Sequence, residues 1–271
     1  MNKNIVAIMY DFDKTLCTKD MQEYTFIPDL GMSSTDFWTG ANKLRENDKM
    51  DQVLTYMYLM VKKTEDNHMH LTKEYLNKIG NDIELFPGVI DFFKRINKYA
   101  ESHGIVIEHY IISSGVKEII EGSVIGGFFK EIYASEFYYN EHGHAIWPKL
   151  AINYTNKTQY LVRINKGIFD IADDYNVNKK MNAKDRRIPV SNMIYIGDGL
   201  TDVPCMKLTK DGGGVSIAVY TDKSESIANS LYDDERINYI TKADYRENSK
   251  IDLIVKGTID KIAIDNKLNK L

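Results

Sequence analysis

Two carboxylates one residue apart, Asp11 and Asp13, close an apolar run that begins at Ile5. Acids held this close repel one another and titrate abnormally unless a cation neutralises them. The pair therefore predicts a metal site and, with the right partners, a nucleophile. A second acidic group, Asp198 and Asp202, stands in the stretch Gly197-Asp-Gly-Leu-Thr-Asp202. Such acids suit a hard cation such as Mg²⁺, which prefers oxygen ligands and keeps some of its water. Ser113, followed by Ser114 and Gly115, offers a hydroxyl and free backbone N–H groups at an expected helix N-terminus, an arrangement that binds phosphate. Lys157, at the expected start of another helix, can neutralise both an attacking carboxylate and a phosphoryl oxygen. Lys166 lies further along the same helical pattern; Lys157 is preferred because a side chain at the helix start reaches the strand ends. These groups make up what phosphoryl transfer needs: nucleophile, metal clamp, anion donors and proton shuttle. Taken alone, Asp11 and Asp13 would equally suit a loop-capping pair or the metal-binding Asp-x-Asp of a glycosyltransferase.

The elements that must position these groups follow from patterning. Residues 4–10 are apolar without alternation, which predicts a buried strand of a parallel sheet. From Cys17 to Leu85 amphipathic helices are expected, one capped among Ser33, Ser34 and Thr35, another carrying the stripe Val53, Leu54, Met57, Tyr58 and Val61. After Phe86-Pro-Gly88 a helix runs to Gly104, and a strand from Ile105 leads into Ser113-Ser114-Gly115. This βαβ rhythm predicts an α/β fold with a parallel sheet. A short helix at 116–122, a hairpin over 132–147 turning at Glu141-His-Gly143, and a helix from Lys157 through Ile171 come next. Asp173–Arg187 reads as a loop or helix extension. Strands at 193–196 and 212–220 and a closing helix at 251–271 complete the pattern.

Composition narrows the function. The chain has 271 residues, room for a core domain plus a smaller one. Its net charge of −4 gives no general attraction to nucleic acid or anionic membrane. No apolar run approaches the roughly 20 residues that span a bilayer. Two cysteines, Cys17 and Cys205, are too few for a disulfide framework, and the absence of a signal-peptide pattern predicts a cytoplasmic protein. The pairs His68/His70 and His142/His144 read as exposed rather than metal-binding. Trp38 and Trp147 read as packing residues.

Asp11-Phe-Asp13-Lys-Thr15-Leu16 and Gly197-Asp198-Gly199-Leu-Thr-Asp202 resemble the first and fourth motifs of the haloacid dehalogenase superfamily, with Ser113 and Lys157 fitting the second and third in order. The resemblance implies a Rossmann-like core (residues 1–16 and 86–271) with a helical C1-type cap (17–85), as in the phosphoserine phosphatase-like branch. It implies that Asp11 attacks phosphorus and forms an aspartyl-phosphate, while Asp13 protonates the leaving alcohol and then activates water. Mg²⁺ would be held by Asp11, the Asp13 carbonyl and Asp198, with Asp202 as a further ligand or as support. Ser113, the Ser114 N–H and the Phe12 and Asp13 amides would hold the phosphoryl group, and Lys157 would orient Asp11. An acid at position 13 implies phosphate chemistry rather than carbon–halogen cleavage. The substrate would be a small phosphorylated metabolite. In the phosphoserine phosphatase-like branch a carboxylate soon after the first motif contacts the substrate's amino group; Asp20 or Glu23 could do this here, and a solvated helix start explains both equally well. Two alternatives are a phosphotransferase or phosphomutase using the same intermediate, and a silent phosphate-binding module.

Overall fold

The structure, a computed structural model, describes residues 4–268. Its centre is a seven-stranded sheet of β1 (Ile5–Tyr10), β2 (Val106–Val116), β3 (Phe129–Tyr139), β4 (Ala145–Leu150), β5 (Met193–Gly197), β6 (Val215–Tyr220) and β7 (Tyr239–Lys242). The spatial order is β4-β3-β2-β1-β5-β6-β7, with only β4 antiparallel. The chain winds outward from β1 first through β2 and β3, then returns to the other side through β5. The order reverses beside β1, and in open parallel sheets ligands bind at that switch, beyond the carboxyl ends of the strands.

Alternation along β1 explains why its run is wholly apolar. Val6, Ile8 and Tyr10 join one buried cluster and Ile5, Ala7 and Met9 the other, so each face of the strand is covered. The first face is packed by α5 (Val89–Ser102) and α11 (Lys250–Leu268), the second by α7 (Lys157–Lys166), α9 (Val203–Asp211) and α10 (Glu225–Asp233).

Between β1 and β2, ahead of α5, stand four further helices: α1 (Phe26–Asp29), α2 (Ser34–Asp48), α3 (Gln52–Asp66) and α4 (Lys73–Ile79). Ser33 caps α2 by accepting the Asp36 N–H at 3.1 Å. The buried face of α3 is rotated from the expected stripe. Val53, Tyr56, Met57 and Met60 are buried, whereas Leu54 and Tyr58 are exposed. This face meets β4 and the sheet's carboxyl end, and it carries Tyr56 to the cleft.

Three other boundaries differ from expectation. The helix at Lys157 stops at Lys166, because Gly167 takes a left-handed conformation (φ 76°) and the Gly167 and Ile168 N–H groups return to the Arg163 carbonyl. Part of the segment after it, Asp174–Asn178, is a short helix, α8. The helix after Ser113 begins only at Lys117 as α6 (Lys117–Gly122), since pairing of Val116 with Ser135 keeps the chain extended. The closing helix is described to Leu268, so its expected last three residues lie outside the described chain. Polar flanks hid α10 and β7 from periodicity.

His109 on β2 ties the sheet to α5. Its Nδ1 accepts from Tyr10 OH (3.0 Å) and its Nε2–H donates to Asn97 Oδ1 (2.9 Å), the tautomer that satisfies both contacts. Burial pushes its pKa from 6.5 down to about 3. The unfolded chain therefore takes up a proton below pH 6.5 that the folded one refuses, and stability falls as pH drops through that window. The loss is about 1.4 kcal/mol per pH unit. Urea unfolding at pH 7 and pH 5 should show roughly 2 kcal/mol more acid loss in wild type than in His109→Gln. Equal losses in both proteins would contradict this.

Candidate active site

Three adjacent strands deliver the chemistry. Asp11 follows β1, and its N–H continues the ladder to the Ile196 carbonyl of β5 (2.9 Å). Ser113 lies near the end of β2, and Asp198 follows β5 directly. All three line one cleft of about 470 Å³ together with Asp13, Ser114 and Gly115.

Lys157, fully buried at the first turn of α7, sends Nζ to Asp11 Oδ2 (3.1 Å) and Asp202 Oδ1 (2.8 Å). Burial opposes its charge, but Asp11 and Asp202 more than offset this and hold its pKa above the ordinary lysine value. Lys166 is elsewhere, bound to the carbonyls of Val177 (2.5 Å) and Lys179 (2.7 Å). Tyr195 OH also donates to Asp202 Oδ1 (2.8 Å), so this oxygen is taken from two sides.

Asp11 is held in a defined pose. The Phe12 N–H donates to its Oδ1 (2.8 Å), which commits that amide to the carboxylate rather than to a phosphoryl group. Burial and the charge of Asp202 push the Asp11 pKa up to about 6, against the pull of Lys157. Asp13 is differently placed. Its Oδ1 accepts from the Met21 N–H (2.8 Å), and burial with the charges of Asp20 and Asp11 holds its pKa well above the usual carboxylate range. Asp198 is raised as well, by burial and by Asp202 and Asp11.

Oxygens of Asp11, Asp198 and Asp202 lie within 4.8 Å of one another, and Asp202 Oδ2 is buried without a hydrogen-bond partner. A buried all-oxygen cluster with an unpaired oxygen fits a divalent cation. The backbone of β5 packs tightly against one of these acids: a Cβ at Gly197 would stand 2.5 Å from Asp202 Oδ2. At Gly115 a Cβ would meet Met21 Cε at 2.1 Å and Asp13 Oδ2 at 3.1 Å.

Ser113 Oγ accepts from the Gly115 N–H (3.0 Å), forming a tight turn ahead of α6 rather than the first turn of the helix itself. The Ser114 carbonyl accepts from Tyr56 OH (2.5 Å) and Ser135 Oγ (3.2 Å). Tyr56 comes from α3, so the helical insertion grips the turn that carries the serines. Asn153 Nδ2 donates to Asp51 Oδ2 (3.0 Å) across the same opening. Tyr56, Asn153 and Met21 belong to no sequence motif. A tyrosine on the buried face of a helix carries no sign that its hydroxyl reaches another segment.

The haloacid dehalogenase-like hydrolase family matches residues 8–207, from β1 through most of α9. The chain belongs to this family. Its fold is that of the phosphoserine phosphatase-like members. An apo phosphoserine phosphatase superposes with a TM-score of 0.56 at 16% identity, over 89% of this chain and 96% of that one. A HAD family hydrolase from Salmonella enterica serovar Typhi gives 0.59 at 18% identity, over 89% and 68%. Cytosolic 5'-nucleotidase IIIB bound to cytidine gives 0.52 at 15%, over 99% and 88%. An uncharacterized protein of Borreliella burgdorferi is 26% identical over 92% of this chain and 94% of its own length. Among the described residues, no helix is long and apolar enough to cross a membrane.

Proposed function

We propose that the protein is a metal-dependent phosphatase of the haloacid dehalogenase-like family, acting on a small phosphomonoester through an aspartyl-phosphate on Asp11. The observation that carries the reading is Lys157 Nζ set between Asp11 and Asp202 at 3.1 and 2.8 Å, buried behind Asp11, which lines the cleft together with Ser113. The ammonium keeps Asp11 ionised and aimed while leaving one face of its carboxylate toward the cleft.

In the first step an Asp11 oxygen bonds to phosphorus and the ester P–O bond breaks. Asp13, whose pKa burial raises, gives its proton to the leaving alcohol. In the second, Asp13 takes a proton from water, the water oxygen bonds to phosphorus, and the Asp11–phosphorus bond breaks to release phosphate. Ser113 and the Ser114 N–H hold phosphoryl oxygens, and Lys157 offsets charge that builds on Asp11 and the phosphoryl group. Asp11, Asp198, Asp202 and the Asp13 carbonyl would hold Mg²⁺, which when bound neutralises phosphoryl charge.

Residues 17–85 serve in this reading as a cap over the cleft, with residues 1–16 and 86–271 as the core. The two crossings support that division: Cys17 pairs with Leu85, and the Phe86 N–H donates to the Leu16 carbonyl at 2.9 Å. A cap closing over the site keeps water out during the first step.

Phosphate release from a panel of phosphorylated metabolites, ranked by kcat/KM, tests the reading. Excess EDTA should reduce release to background and added Mg²⁺ should restore it. Full activity in EDTA would contradict the metal assignment, and no release from any ester with Mg²⁺ would contradict the phosphatase reading.

A further inference from the structure

Polar side chains of the helical insertion near the first motif are committed close by. Asp20 is paired with Lys14 Nζ at 2.6 Å, and Glu23 accepts the Trp38 indole N–H at 2.8 Å. Tyr56 of α3 is spent differently, on the backbone of the core. Its hydroxyl donates to the Ser114 carbonyl at 2.5 Å. Ser135 Oγ of β3, itself an acceptor from the Ile152 N–H at 3.1 Å, donates to the same oxygen at 3.2 Å. Tyr56 is buried, so bulk water does not compete for this contact.

That carbonyl belongs to the Ser114–Gly115 peptide, whose N–H donates to Ser113 Oγ at 3.0 Å. One planar peptide unit is thus fixed at both ends. With this N–H on its oxygen, Ser113 keeps its own proton to give, and the residue borders the cleft. Rotation of the same peptide by half a turn would bring the carbonyl round to Ser113, and the hydroxyl would then donate to its own backbone. Gly115 makes that rotation accessible, because a residue without Cβ takes either sign of φ. The core opposes it with Ser135 alone, and the insertion adds Tyr56. A second insertion residue holds the same turn: the Val116 N–H donates to Met21 Sδ at 3.1 Å.

We propose that Tyr56 is a positioning residue for Ser113: its hydroxyl holds the Ser114–Gly115 peptide in the orientation that leaves the Ser113 proton free for a phosphoryl oxygen. The proposal rests on the phosphatase reading. In this role the Tyr56 hydroxyl touches neither phosphorus nor the leaving alcohol, although the residue lines the cleft. The helical insertion then takes part in phosphoryl binding through a core peptide, not through direct contact with the substrate.

Tyr56→Phe tests it, since the change keeps the ring and its edge-on contact with Trp38 (6.2 Å) and deletes only the oxygen. Two substrates with unlike leaving groups are assayed with Mg²⁺: para-nitrophenyl phosphate and the alkyl phosphate that the wild type turns over best. For each, kcat/KM should fall about fivefold, the scale of one hydrogen bond lost while Ser135 keeps the other. The inhibition constant of inorganic phosphate should rise by a similar factor, because only the phosphoryl group is read. In the Ser113→Ala background the same change should cost less than about twofold, since the group it positions is gone. A purely structural role would cost the same in both backgrounds, and direct contact with the leaving alcohol would make the loss depend on the ester. Either result overturns the proposal, as does an unchanged kcat/KM or an unchanged inhibition constant. No phosphate release from any ester by the wild type would instead contradict the phosphatase reading.

Discussion

Asp11→Asn is expected to lower kcat by at least about 10⁴-fold, because the amide is no nucleophile and nothing else in the cleft replaces it. Fold should survive this change. The amide has the shape of the carboxylate, and its loss of charge relieves repulsion from Asp202, one of the causes that raise the Asp11 pKa to about 6. Stability should therefore stay within about 1 kcal/mol of wild type. Phosphate release and thermal unfolding, measured on one preparation, check both halves. Wild-type turnover would exclude Asp11 as nucleophile, and an unfolded variant would show that the charge is structural.

Lys157→Met should combine a large loss of activity with a large loss of stability. The ammonium is fully buried between two acids, and removing one partner of such a group leaves buried charge uncompensated. The cost in metal-free protein is about 3 kcal/mol. For a chain of this size that lowers Tm by roughly 6–12 °C. Loss of a donor to developing charge should also lower kcat by about 10³-fold. Lys166→Met is the control, since that ammonium only bridges the Val177 and Lys179 carbonyls. It should leave kcat within about twofold of wild type. Equal loss in the two variants would remove Lys157 from any special role.

Much of the fold and the placement of the site groups could be read from residue order. Asp11, Asp13 and Asp198 were legible because a carboxylate at the end of an apolar strand has no packing explanation. Ser113 was legible because it follows a strand, and Lys157 because a helix start faces the strand ends. The structure brings Lys157 to Asp11 and Asp202 and keeps Lys166 away. What the sequence could not show lies in contacts between distant segments. The grip of Tyr56 on the Ser114 carbonyl, the commitment of Asp20 to Lys14 and the unpaired Oε1 of Gln22 have no local signature. The buried face of α3 departs from its hydrophobic spacing for a related reason: the helix is oriented by the sheet edge it meets. The length of the Lys157 helix depended on a left-handed glycine, which periodicity alone passes over.

The central claim is a covalent phosphoryl group on Asp11. The direct measurement is a rapid acid quench of enzyme turning over a substrate labelled with radioactive phosphate, followed by peptide mapping. Acid-stable label is expected on the peptide that contains Asp11, increased in Asp13→Asn, where hydrolysis of the intermediate is slowed more than its formation when the leaving group is a good one. Turnover without protein-bound label, or label on a peptide elsewhere in the chain, would contradict it.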